Sequence, residues 1–190
     1  RALVQMFSGT TGLSTAASRA RFTGVSQRIA VGREMVGRIL DGVGRPRDGL
    51  PDVLTDERRD VNGASINPYS REYPRDFIQT GITSIDLMNT LVRGQKLPIF
   101  SGNGMPHNQI AAQIARQAKL LAEDVRFSIV FAAMGVKYDV ARFFIDSFER
   151  SGAINNVTMF LSLADDPSVE RLVTPRSALT FAEYLAFEAG

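Results

Sequence analysis

The residues with the most chemical content are Ser101-Gly102-Asn103-Gly104-Met105-Pro106-His107-Asn108, expected where a strand runs into a helix. In a phosphate-gripping loop of the pattern G-x-x-x-x-G-K-[ST], backbone N–H groups cradle the phosphates. The Lys reaches the terminal oxygens and the hydroxyl holds Mg²⁺. Laid on that pattern, Ser101 replaces the first Gly, Pro106 the second, His107 the Lys and Asn108 the Ser/Thr. The outline of a cradle is kept, whereas the cation and the metal-binding hydroxyl are not.

Single residues of this stretch have two readings each. His107 is the only histidine, and it could touch a phosphate or serve as a structural ring at a helix N-terminus. Gly102 and Gly104 could let backbone donors face an anion, or only permit a tight turn. Elsewhere, Phe143-Phe144-Ile145 with Phe148 has the spacing of a face packed on a sheet rather than a partner groove. Arg71, Arg75 and the Arg45/Arg47 pair are candidates for an interface with acidic neighbours, against the plain alternative of solvated loop arginines.

The elements that must position these residues belong to a chain of 190 residues, 44% hydrophobic and 22% charged, which is enough for a core. Lys and Arg number 22 against 20 Asp and Glu, a near-balance that gives no reason to expect nucleic acid. A basic stripe interleaved with aromatic residues, the mark of a nucleic-acid module, is not evident. The chain has no Cys, so disulfides and thiolate metal sites are excluded. Neither a secretory signal nor an apolar run of bilayer length is expected, which leaves partners as the route to any membrane.

Residues 2–7, 28–31 and 35–40 read as short strands, so residues 1–40 read as an incomplete all-β piece. Residues 41–73, rich in Gly, Pro, Arg and Asp, read as a linker or long surface loop. Thr83-Ser84-Ile85-Asp86-Leu87-Met88 reads as a short helix. Lys96-Leu97-Pro98-Ile99-Phe100 reads as a strand, at an end or edge because of Pro98. A helix is predicted over 109–121, then strand 127–132 before helix 139–149, and strand 157–161 before a helix starting near Asp166-Pro167. A second helix is predicted to restart at Thr174-Pro175, with Leu179, Ala182, Leu185 and Ala186 on one face and Gly190 as its stop. This alternation predicts an α/β fold with a parallel sheet and covering helices.

With loop, strands and flanks together, the chain resembles the B subunit of V-type and A-type rotary ATPases, the non-catalytic partner of an alternating head. The resemblance rests on residues 35–48, Ile66-Asn67-Pro68, residues 77–87, residues 91–98, Met105-Pro106-His107-Asn108 with residues 110–117, residues 130–135 and residues 173–184. It implies the tail of an N-terminal β-barrel over 1–40, a linker over 41–73, and the first half of a RecA-like P-loop NTPase domain over 74–190. The family's C-terminal helical domain is absent from that span. The connection Leu120-Leu121-Ala122-Glu123-Asp124 is shorter than the family leads one to expect.

The resemblance further implies a ring of alternating catalytic A and non-catalytic B subunits, an A3B3 head on central stalk subunits, with this chain in the B position. Localisation would be cytoplasmic, peripheral to the membrane and attached only through the rotary complex. After the strand that begins near Phe127, catalytic subunits carry Gly-Glu-Arg where this chain has Gly135-Val136-Lys137. That Glu polarises the attacking water, a role Val136 cannot fill. The expectation is a regulatory subunit with no catalysis of its own, no required cofactor, weak ATP or ADP binding at most, and no Mg²⁺ in its own loop. Arg176, inside a matching segment, is the foremost interface candidate. Two rival readings are an active ATPase with an unconventional site and a RecA-like nucleic-acid-binding module.

Overall fold

The structure, a computed structural model, describes residues 4–120 and 127–189. In chain order its elements are β1 (Arg28–Ala30), β2 (Ile39–Asp41), β3 (Arg58–Asp60), β4 (Ile78–Gln79), α1 (Thr83–Met88) and α2 (His107–Gln117). There follow β5 (Lys119–Leu120), β6 (Ile129–Val136), α3 (Tyr138–Ser151), β7 (Val157–Leu163) and α4 (Ser168–Phe187). The chain divides into two compact units, one of residues 1–63, 130–141 and 158–190 and the other of 64–129 and 142–157.

The first unit holds a three-stranded sheet in the order β2-β7-β6. β2 and β7 pair in parallel, with Ile39 opposite Met159 and Asp41 opposite Leu161. Residues 157–162 of β7 are all buried, as befits a strand covered on both faces. This is the parallel α/β pairing that the alternation predicts. A separate antiparallel pair, β1 with β3, sets Arg28 opposite Asp60. The core joins Ile29, Val31, Met35, Leu40 and Val61 to Phe160 and to Ala178 and Phe181 of α4.

Several local expectations are corrected in this unit. Residues 4–7 form no strand, and 1–3 lie outside the described residues. The strand read over 35–40 is a 3-10 turn at Arg33–Met35 followed by β2. The stretch 41–73 contains β3 and a short 3-10 turn at Pro68–Ser70. Most clearly, the two helices expected around Thr174-Pro175 are one, with Pro175 inside α4. A proline in a helix interior removes one N–H and crowds the preceding turn. Here the Thr174 hydroxyl donates to the Glu170 carbonyl at 2.8 Å, and the burial of Thr174, Ser177, Ala178 and Phe181 holds the helix together around the defect. The buried face therefore differs from the predicted stripe: Leu179 is 65% exposed. Leu185 does pack against the core, while the expected stop, Gly190, lies outside the described residues.

The turn that follows β2 is fastened to α4. Asp41 Oδ1 accepts from the N–H groups of Val43 (2.9 Å) and Arg45 (2.8 Å), and Arg47 N–H returns to the Ile39 carbonyl at 2.8 Å. Gly42 N–H donates to Glu170 Oε1 at 2.9 Å, and Ser177 Oγ donates to the Gly42 carbonyl at 2.9 Å. Glu170 is buried. Desolvation pushes its carboxyl above the usual carboxylate range against the pull of the Gly42 N–H.

Beside this turn, Arg38 Nε meets Asp48 Oδ2 at 2.5 Å and Arg38 Nη2 meets Oδ1 at 3.1 Å. The same guanidinium donates to the Pro51 carbonyl at 2.8 Å. The Arg38 hydrogen bond holds the Asp48 carboxyl below its ordinary range, assisted by donors from the backbone of Leu50 and Ile39. A depressed folded-state value means that the pair stabilises the fold above the unfolded carboxyl's titration near pH 4, and that this is lost as pH falls through the folded value. Asp48→Asn should cost about 1–3 kcal/mol at pH 7. Urea unfolding at pH 7 and in acid checks it, since the difference from the parent shrinks below about pH 4.

In the second unit α1 spans the predicted residues. Asp86 reaches back from it to accept from Thr80 N–H (2.9 Å), Thr80 Oγ1 (2.6 Å) and Gly81 N–H (3.1 Å), and these donors hold its carboxyl below the usual range. β4 and β5 pair antiparallel, with Ile78 opposite Leu120. Phe77 and Val92 form an isolated antiparallel bridge. Phe144 and Phe148, one helical turn apart on α3, are buried with ring centroids 6.2 Å apart, while Phe143 is 38% exposed. The expected strand Lys96-Leu97-Pro98-Ile99-Phe100 is not formed; its residues are irregular and Phe100 is 91% exposed. Pro98 has no N–H to give a ladder. Among the described residues, no helix is long and apolar enough to cross a membrane.

Candidate functional site: the loop before α2

Irregular chain, not a strand, leads into residues 101–108, and the loop is exposed from Ser101 through His107. Gly104 sits at φ +82°, with open space where a Cβ would be, so it is glycine for its left-handed backbone. Gly102 has no such φ. Of the two readings of the glycines, the turn accounts for Gly104.

One of the donors at the mouth of α2 is spent. Pro106 has no N–H, and its φ of −79° and ψ of 42° let the His107 N–H fold back onto the Met105 carbonyl at 2.9 Å. Met105 N–H lies 3.4 Å from the Gly102 carbonyl. Ser101 Oγ and His107 Nδ1 are 2.9 Å apart, so the side chain at the lysine position is tied to the start of its own loop. Asn108 and Gln109 keep N–H groups that no acceptor among the described residues takes, and these are the donors a helix N-terminus normally offers an anion. The loop thus has no cation at 107 and no hydroxyl at 108, while the amides of Gly102, Asn103, Gly104, Asn108 and Gln109 have no acceptor among the described residues. It keeps backbone donors for an anion but has neither the lysine nor the Ser/Thr hydroxyl of the phosphate-gripping pattern.

The other candidate residues lie apart in the chain and are described separately. Val136 ends β6, its carbonyl accepting from Ala164 N–H at 2.8 Å, and Lys137 is exposed just before α3. Neither offers a carboxylate. Arg176, exposed on α4, donates to Asn62 Oδ1 at 2.8 Å. In the second unit, Arg71 and Arg75 line an open cleft together with Arg93. Arg93 was not singled out from sequence, because the bridge between Phe77 and Val92 that brings it there spans fifteen positions of unrelated composition.

The parallel pairing of β2 with β7, covered by α4, is of the α/β class, and residues 81–190 match the family described as ATP synthase alpha/beta family, nucleotide-binding domain. A curated relative, the V-type ATP synthase beta chain 2 of Treponema pallidum (strain Nichols), is 61% identical over 186 residues, 98% of this chain. The chain belongs to the ATP synthase alpha/beta family. Among solved structures, the ATP synthase subunit NeqB from Nanoarcheaum equitans is 43% identical with a TM-score of 0.75, over 85% of this chain and 38% of that one. The chain spans 39% of the length of its Treponema relative.

Proposed function

We propose that this chain belongs to the non-catalytic, regulatory B subunit of a V/A-type ATP synthase head, where it helps build nucleotide pockets against the catalytic A subunit. In that reading residues 74–190 begin the RecA-like domain. The protein sits in an A3B3 ring on central stalk subunits, on the cytoplasmic side, and reaches the membrane only through the rotary complex. Its work is conformational, since a subunit can bias its neighbour through contacts that differ between states.

The observation that carries this reading is the altered residue set of the loop before α2. The position of the phosphate-binding lysine holds His107, hydrogen-bonded to Ser101, and the adjoining N–H is turned back onto Met105. Any nucleotide there is held weakly, by backbone amides of the loop and of the helix mouth, and without Mg²⁺. Arg176 is the side chain proposed to meet the neighbouring subunit, giving up its contact with Asn62.

Native mass spectrometry of the protein mixed with a catalytic A subunit should give an alternating hexamer. Hydrolysis in that mixture should depend on the partner's phosphate-loop lysine and be insensitive to His107→Ala. Failure to form mixed rings, or salt-sensitive capture of oligonucleotides by this protein alone, would overturn the reading.

A further inference from the structure

Residues 71–76 and 93 bring together an unusual set of side chains within one unit. Arg71, Glu72, Tyr73, Arg75, Asp76 and Arg93 line a cleft of about 720 Å³ open to solvent. Its two walls are pinned by backbone bonds: Arg93 N–H donates to the Asp76 carbonyl at 2.8 Å, and Ile78 N–H to the Leu91 carbonyl at 2.9 Å. Pro74 stiffens the segment between the first two arginines. These bonds fix the end of the cleft formed by Asp76 and Arg93.

Its charges are unevenly committed. Asp76 faces Arg93 at 3.9 Å. Among the described residues, no ion pair or side-chain hydrogen bond engages the guanidinium groups of Arg71 and Arg75. Tyr73, between them in sequence, is 89% exposed, although an aromatic ring left in water loses the burial that usually stabilises it. Two free guanidinium forks suit phosphate oxygens, which they grip in bidentate fashion. An exposed ring beside them offers a stacking face for a base, and a carboxylate such as that of Glu72 accepts from ribose hydroxyls.

We propose that this cleft binds a nucleoside polyphosphate, with Arg71 and Arg75 on the phosphates and Tyr73 against the base. The site is distinct in its residues from the loop before α2. It assigns the two arginines to a ligand rather than to a neighbouring subunit, and it does not depend on the subunit reading above.

Calorimetric titration of the protein with ATP, inorganic tripolyphosphate and adenosine tests it. ATP and tripolyphosphate should bind, ATP more tightly, with affinity falling as salt rises. Arg71→Ala/Arg75→Ala should weaken both at least about tenfold, and Tyr73→Ala should weaken ATP but not tripolyphosphate. All three cleft side chains are exposed, so circular dichroism should report an unaltered fold. Binding that survives the double arginine change, or that is as strong for adenosine as for ATP, would overturn the proposal, as would no binding of either phosphate compound.

Discussion

Incubated with Mg-ATP and no partner subunit, the protein should release phosphate no faster than a buffer blank. Phosphoryl transfer relies on positioning and charge stabilisation, and removing a single preorganised donor typically costs about 10²–10³ in rate. Here His107 stands for the cation, Asn108 for the Mg²⁺ hydroxyl and Val136 for the water-polarising carboxylate. Three losses of that size, even if far from additive, exceed any assay's reach. The informative variant is His107→Lys/Asn108→Thr. It should tighten binding of Mg-ATP, by releasing the loop from Ser101 and supplying a charge, yet leave hydrolysis at the blank because Val136 still offers no base. Turnover by the parent protein that disappears on His107→Ala would refute the account, and a malachite-green phosphate assay is sensitive enough to see it.

Gly42→Ala should be the most damaging small substitution in the first unit. A Cβ at Gly42 would collide with Thr174 Oγ1, lie 2.6 Å from Glu170 Cγ, and come within 3.1 Å of the Glu170 carbonyl. Two side-chain atoms can swing aside, but the backbone oxygen belongs to α4 and cannot move alone. Shifting it would also strain the bonds from Gly42 N–H to Glu170 and from Ser177 to the Gly42 carbonyl. Overpacking of this kind costs about 3 kcal/mol when the surroundings cannot relax, read as a lower urea midpoint at unchanged slope. Adding Thr174→Ala should return part of the loss, a non-additivity expected of atoms in contact. A Gly42→Ala protein as stable as its parent would show that the turn does not press on the helix.

Much of this architecture was legible in the sequence wherever local pattern and tertiary demand agree. α1, the span of α3 and the start of β7 follow from apolar spacing, although Ile82 gives α1 no side-chain cap, and the burial of Phe144 and Phe148 follows from their separation by one turn. Where long-range contacts decide, the pattern misleads. Pro175 reads as a break, but Thr174 and the buried face of α4 carry the helix across it. Leu179 reads as core, but small polar residues fit the close approach to Gly42 and it is turned to solvent. The chemistry missing from the loop before α2 was plain from residue types. The turning back of His107 N–H was not, because it depends on the dihedral angles of Pro106.

The grip of α4 on both peptide groups of Gly42 has a consequence for how sequences of this kind can diverge. Surface turns ordinarily absorb insertions and deletions at little cost. Between Asp41 and Arg47 that freedom is gone: one added or deleted residue would displace either the Arg47 amide from Ile39 or Gly42 from Glu170 and Ser177. The spacing of this segment should thus stay constant among homologues even where its side chains drift.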